Sequence, residues 1–401
     1  VTQVVSPGEG EVFHNRLTHT LKVAQVARRM AEMFLEQPGG RRKARRWGHI
    51  SADVVEAAAL AHDLGHPPFG HIAEEELNHL VSKDSGAEGY EGNAQSFRIV
   101  TKLCVLREEG ERGLELTRAT LNATLKYPKL WTAGTNKWGA YRTEIQEFAF
   151  ARKLDGEESS RRCIEAQIMD WADDIAYSVH DTEDFYRAGL VPLDRLAVNP
   201  KERELFLAAA KRRREEIGRP FSNSDEELQR VMNGLFDSMR IKEPYTGTPA
   251  QRGHLRRFTS YTIGTFLRGT TLLDGPRADG EGLEVARVYR TQVALLKELT
   301  WCYVINNPSL AALQTGQRKI ISTLYGIYRD AVEAGQWTFL PPRFQDDAIT
   351  RANEYGGKLP AGERSRLVAD IISSMTDHQA TRVFQRMTGI SQTSVLDPIV
   401  T

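Results

Sequence analysis

The sequence has little cysteine, no net charge and no long apolar run, and each shortage removes a class of protein. Three cysteines (Cys104, Cys163, Cys302) in 401 residues are odd in number and far apart, which excludes a disulfide framework and a CxxC metal site. Such usage fits a reducing, cytoplasmic setting. The 53 Lys and Arg residues balance 53 Asp and Glu, so wholesale nucleic-acid binding through net charge is excluded while a local basic patch is not. No apolar stretch approaches the roughly 18 residues of a membrane span. No secretory signal is visible, and the opening at Val1 leaves room for a missing N-terminal piece. Strand-like alternation is scarce, with Val1–Val5 and 258–274 the best candidates. There is no fixed-period repeat and no P-loop glycine pattern, so phosphate recognition would rest on a metal and cationic side chains. What remains, 40% hydrophobic and 26% charged, is a globular chain with enough residues for a large core.

Helical periodicity runs almost throughout. Leu17, Leu21, Ala24, Ala27, Ala31 and Phe34 recur every three or four positions, and Pro38-Gly39-Gly40 ends that helix. The run from Arg41 to Arg46 reads as a basic connector. A second helix is expected over about 51–64, stopped by Gly65 and Pro67-Pro68, and a third from about Gly70. Others are expected near 93–107, 115–126, 163–188, 201–217, 225–240, 284–305, 309–335 and 365–388, with ends uncertain by about 2–4 residues. Pro192 and Asn199-Pro200 interrupt the pattern near 190–200, read as a loop within one continuous body. The expected fold class is all-α.

Histidines and carboxylates cluster. His62, His66 and His71 fall within ten residues, in His62-Asp63-Leu64-Gly65-His66-Pro67-Pro68-Phe69-Gly70-His71, and His19 lies on the first helix. Far along the chain comes an acidic helix from Asp170 to Asp181. A mixed imidazole and carboxylate set suits a divalent metal of intermediate hardness and leaves positions open for water and a phosphate oxygen. On the acidic helix, Asp173, Tyr177 and Asp181 stand at i, i+4 and i+8 and share a face; Asp174 points about 100° away. That face offers a metal ligand, an aromatic ring with a hydroxyl, and a carboxylate able to accept from a sugar hydroxyl. A solvated acidic face is the plainer alternative, since Ile168, Trp171, Ile175 and Val179 form a separate apolar stripe. His71 and Glu74, at i and i+3, make an acid–base pair in which the carboxylate raises the imidazole pKa; alternatively Glu74 and Glu75 only complement the helix dipole. Arg16, one turn before His19, together with Lys126, Lys129, Lys137 and the cluster Arg252, Arg256, Arg257, supplies candidate phosphate contacts.

In these residues the chain resembles the HD-domain phosphohydrolase superfamily, with its H…HD…D signature, and more narrowly the bacterial deoxyguanosine triphosphate triphosphohydrolase-like proteins. The narrower resemblance rests on His14 through His19, His62 through His71 with Glu74, Tyr90-Glu91-Gly92-Asn93-Ala94-Gln95, Tyr127-Pro128-Lys129, Ile168 through Tyr177, and Ser374-Met375-Thr376-Asp377. It implies an HD-domain helical core over 1–190 that binds metal and catalyses. A helical part over 191–401 would complete the nucleotide pocket and carry oligomer contacts. It implies His19, His62, Asp63 and Asp173 as ligands of a divalent metal (Mn, Mg, Fe or Co), and His71 and Glu74 as the acid–base pair with His66 close by. Tyr177 would pack on the deoxyribose, Asp181 would accept from the 3′-hydroxyl, Arg16 and Lys129 would meet phosphates, and Gln3 the nucleoside. Asn93 and Gln95 would support the site. The implied reaction cleaves a dNTP to a deoxynucleoside and tripolyphosphate, in a homo-oligomer with dNTP as a candidate activator.

Two other readings stay open on the sequence. One keeps the metal and changes the substrate, giving an HD phosphodiesterase or nucleotidase acting on a monophosphate or cyclic dinucleotide. The other is a nucleotide sensor or weak single-stranded DNA binder, supported by the basic runs Arg41–Arg46 and Lys211–Arg214. A membrane partner is not expected.

Overall fold

A computed structural model describes residues 15–105, 113–156 and 159–390. Gln3, His14 and the strand expected over Val1–Val5 lie outside the described residues. Helix dominates, as the periodicity predicts, and no described helix is long and apolar enough to cross a membrane. The chain forms two compact units, one from residues up to Leu60 plus Arg161–Ala311, the other from Ala61–Ser160 plus the chain from Ala312 onward.

The first unit is built on the helices Arg16–Glu36 and Ile164–Arg187. Asn15 caps the former, its side chain accepting from the Thr18 amide, and the Cys163 sulfur caps the latter. Their apolar faces, Val23, Ala27, Met30 and Phe34 on one and Ile168, Ile175 and Val179 on the other, are buried in one core. The basic run is a helix, Gly40–Arg46, rather than a connector. Ala44 is buried, Lys43 donates to the Leu272 carbonyl (2.9 Å) and Arg46 pairs with Asp274 (2.8 Å), so docking orders it. The strand expected over 258–274 is mostly the helix Pro249–Arg268. Its β-branched and aromatic residues favour strand locally, but Leu255, Phe258, Thr259, Thr262 and Phe266 are buried at helical spacing, and burial decides. Only Thr270–Leu272 is strand, antiparallel to Leu283–Val285 with Thr271 opposite Glu284.

The second unit holds His71–Val81, Gly92–Arg98, Arg118–Thr124, Ile145–Arg152, Pro342–Glu354, Ala361–Ser373 and Asp377–Met387. The last two were expected as one helix; Thr376 starts a new one through a capping box with Gln379. The helix Ala52–Ala61 ends earlier than expected, so His62 and Asp63 stand on the turn that follows. That turn lies tight against Gly92–Arg98. The Ser96 hydroxyl donates to the His62 carbonyl (2.9 Å) and accepts from the Gly65 amide (2.9 Å). A Cβ on Gly65 would sit 2.1 Å from the Ser96 nitrogen. Gly65→Ala should therefore cost about 2–3 kcal/mol, visible as a lowered melting temperature; an unchanged melt would show that the two segments separate freely.

Phe69 and Gly70 both take positive φ (66° and 60°), reversing the chain before His71. A non-glycine residue there is strained. The Phe69 amide is held by the Asp377 carboxylate at 3.0 Å, which gives the Ser374–Asp377 motif a structural task.

Candidate active site

In the first unit, His19 Nε2 stands 3.2 Å from Asp173 Oδ1, both half-buried. The neighbouring Asp174 turns to Lys297, 2.5 Å away. Tyr177 is one helical turn beyond Asp173. Burial and the carboxylates of Asp181 and Asp173 push its pKa well up, so the phenol keeps its proton. Asp181 is buried at the next turn, and burial raises its pKa. Arg16 opens the first helix, three positions before His19.

In the second unit, the Asp63 carboxylate lies between two imidazoles, 3.4 Å from His62 Nε2 and 3.3 Å from His66 Nδ1. The His66 and His71 rings are 6.1 Å apart. Glu74 is buried; its Oε1 accepts from Lys137 (3.0 Å) and from the Gly92 amide (3.3 Å). Burial alone would raise its pKa, but His66, Lys137 and His71 together carry it below the usual carboxylate value. For His71 the balance differs from the sequence expectation. Glu74 does raise its pKa, yet desolvation outweighs that and leaves it lowered, an effect softened by the face open to solvent.

Lys137 spans two carboxylates, Glu74 and the buried Glu91 (2.9 Å). Glu91 also caps Gly92–Arg98 and accepts from the Asn93 side chain (2.9 Å), which fixes that amide. Sequence reasoning missed this role for Lys137 and Glu91. Glu91 is legible as an N-cap, but no local spacing pairs Lys137 with a residue 63 positions away. Lys129 is exposed, as are Arg252, Arg256 and Arg257 on Pro249–Arg268. The basic run at 211–214 turns largely onto carboxylates: Arg213 donates to both oxygens of the buried Glu298 (2.9 and 2.8 Å), and Lys211 pairs with Asp225 (2.6 Å).

Sequence comparison identifies the family. Residues 16–178 match the HD domain and residues 283–386 the phosphohydrolase-associated domain. A deoxyguanosinetriphosphate triphosphohydrolase-like protein of Streptomyces coelicolor is 36% identical, with 97% of this chain aligned to 88% of that protein. The chain belongs to the deoxyguanosinetriphosphate triphosphohydrolase-like family. Relatives of the same name from Corynebacterium diphtheriae (32%, 97% of this chain and 87% of the relative) and Nitrobacter hamburgensis (30%, 96% and 85%) span a similar extent. This member of the family is therefore a hydrolase of the HD phosphohydrolase class. Its His and Asp side chains supply the donors that a metal-dependent hydrolase uses.

Proposed function

We propose that the protein is a dNTP triphosphohydrolase that releases a deoxynucleoside and tripolyphosphate. The observation carrying this reading is the near-full-length match to relatives named for deoxyguanosine triphosphate. The metal would be held by His19, His62, Asp63 and Asp173. The donor set fits: imidazoles and carboxylates without thiolate suit Mn, Mg, Fe or Co, and Asp173 rather than Asp174 is turned toward His19. When bound, such an ion polarises a phosphoryl oxygen and lowers the pKa of water.

The chain's own residues supply the rest. His71, oriented by Glu74, carries a proton at the 5′-oxygen of the leaving deoxynucleoside, with His66 beside it. Glu74 keeps its charge because Lys137 and the imidazoles face it. Arg16 and Lys129 offset phosphate charge. Tyr177 packs on the sugar, Asp181 accepts from its 3′-hydroxyl, Asn93 supports the pocket, and Gln3 contacts the nucleoside. The stretch over 191–401 completes the pocket and carries contacts of a homo-oligomer, for which a dNTP is the proposed activator. We place the reaction in the cytoplasm, where the three free thiols persist.

A substrate panel tests the reading: dNTPs singly and mixed, NTPs, deoxynucleoside monophosphates and cyclic dinucleotides, each with Mn²⁺. Turnover of dNTPs alone is expected; turnover of monophosphates or cyclic dinucleotides instead would favour the phosphodiesterase or nucleotidase reading. Close packing of Tyr177 against C2′ would exclude ribose. Tyr177→Ala should then raise GTP turnover relative to dGTP by about tenfold or more, the scale of one pocket contact, and unchanged selectivity would remove Tyr177 from that role.

A further inference from the structure

The helix Ala361–Ser373, within the phosphohydrolase-associated region, carries a buried polar stripe: Arg366, Asp370 and Ser373. Asp370 accepts from Arg98 Nε (3.0 Å) and Nη2 (2.8 Å) and from Gln95 Nε2 (2.8 Å). Arg98 also donates to the buried Glu144 at 2.6 Å. Arg366 donates to the Gly89 carbonyl (2.6 Å), and its guanidinium lies 3.5 Å over the Tyr141 ring. The Tyr141 hydroxyl in turn accepts from the Glu91 amide at 3.2 Å. Every hold falls on the run 89–98 or on a residue that grips it.

That run sets the surroundings of Glu74. It supplies the Gly92 amide that Glu74 accepts from and the Glu91 carboxylate that shares Lys137. It also backs His66, since a Cβ on Gly92 would sit 3.2 Å from that ring. Arg98, Arg366, Glu144 and Asp370 are two cations and two anions, all buried. Apolar side chains of like volume would often be as stable there, so stability alone is a weak reason for such a network, whereas fixing one arrangement is a sufficient one.

We infer that Asp370, with Arg98 and Arg366, is a positioning device that holds the run 89–98 in register and thereby aims Glu74 at the reacting bond. The inference rests on the assignment of Glu74 to proton handling. These residues act through Glu74 and do not touch substrate.

The test is a double-mutant cycle on the full chain with Mn²⁺ and a dNTP, comparing wild type, Asp370→Asn, Glu74→Gln and the pair. Melting curves and amide exchange over 89–98 accompany it. Asp370→Asn should lower kcat about 30-fold with KM nearly unchanged, the scale of a small misplacement. It should also speed exchange of the 89–98 amides. In that variant Glu74 would lose part of its hold from Gly92 and Lys137 while His66, His71 and Glu91 still face it. The pair should be no worse than Glu74→Gln alone, and Asp370→Glu should restore part of kcat. Should Asp370→Asn fail to fold, Gln95→Met, which leaves the ion pair intact, should still lower kcat about fivefold. An unchanged kcat in the folded variant, or losses that multiply in the pair, overturns the inference while leaving Glu74 in place. Full activity of Glu74→Gln overturns the assignment of Glu74 and the inference with it.

Discussion

Asp173→Ala should abolish measurable turnover while leaving the protein folded. Asp173 is half-buried on the long helix Ile164–Arg187, and alanine is a good helix former, so the substitution removes a carboxylate without a core residue. Its loss removes a charged donor facing His19. Losing about 4–6 kcal/mol of charge stabilisation from the metal corresponds to a fall of roughly 10³–10⁴ in kcat/KM. The protein should also retain less Mn²⁺ after gel filtration, measured by elemental analysis independently of activity. Asp174→Ala is the matched control. Its carboxylate is turned to Lys297, so metal content should be unchanged and activity should fall by about tenfold at most, the range of a modest stability change. The reverse pattern would assign the ligand to the adjacent helix face.

Glu74→Gln carries the second large effect. Glutamine keeps the shape and the contact to Gly92 but removes the charge that orients His71. General acid–base catalysis is worth about 10²–10⁴, so kcat should fall within that range with metal content unchanged. The sign of the pH dependence follows from the surroundings. Because His66, Lys137 and His71 hold Glu74 below the usual carboxylate range, Glu74 stays charged at every pH where a His/Asp site keeps its metal, so loss of the metal to protons sets the acidic limb. The residual activity of Glu74→Gln should therefore keep the wild-type acidic limb. A missing or shifted limb in the variant would show that Glu74 itself titrates there.

Much of the fold was legible because its signals are local. The three-to-four spacing of Leu17 through Phe34 and of Ile168 through Val179 marks helices that are present, and Gly65 with Pro67-Pro68 marks where one stops. The helix Gly40–Arg46 was not legible, because its order comes from docking on backbone more than 220 positions away. The short helices Ile145–Arg152 and Leu193–Val198 have too few turns for a period to show. At the candidate site the same division holds. The stripe of Asp173, Tyr177 and Asp181 follows from helix geometry. The lysine that keeps Glu74 charged, the carboxylate at position 370 that grips Arg98, and Asp377 under the Phe69 turn are set by partners 63, 272 and 308 positions away. No pattern in a single sequence encodes those pairings, since each depends on how distant helices meet.

The central claim is the bond that breaks, and hydrolysis in ¹⁸O-enriched water tests it most directly. With Mn²⁺ and a dNTP, the account predicts a deoxynucleoside without label and intact tripolyphosphate carrying one ¹⁸O at its terminal phosphorus, as attack at the α-phosphorus requires. Release of pyrophosphate or orthophosphate, or label in the deoxynucleoside, would contradict it.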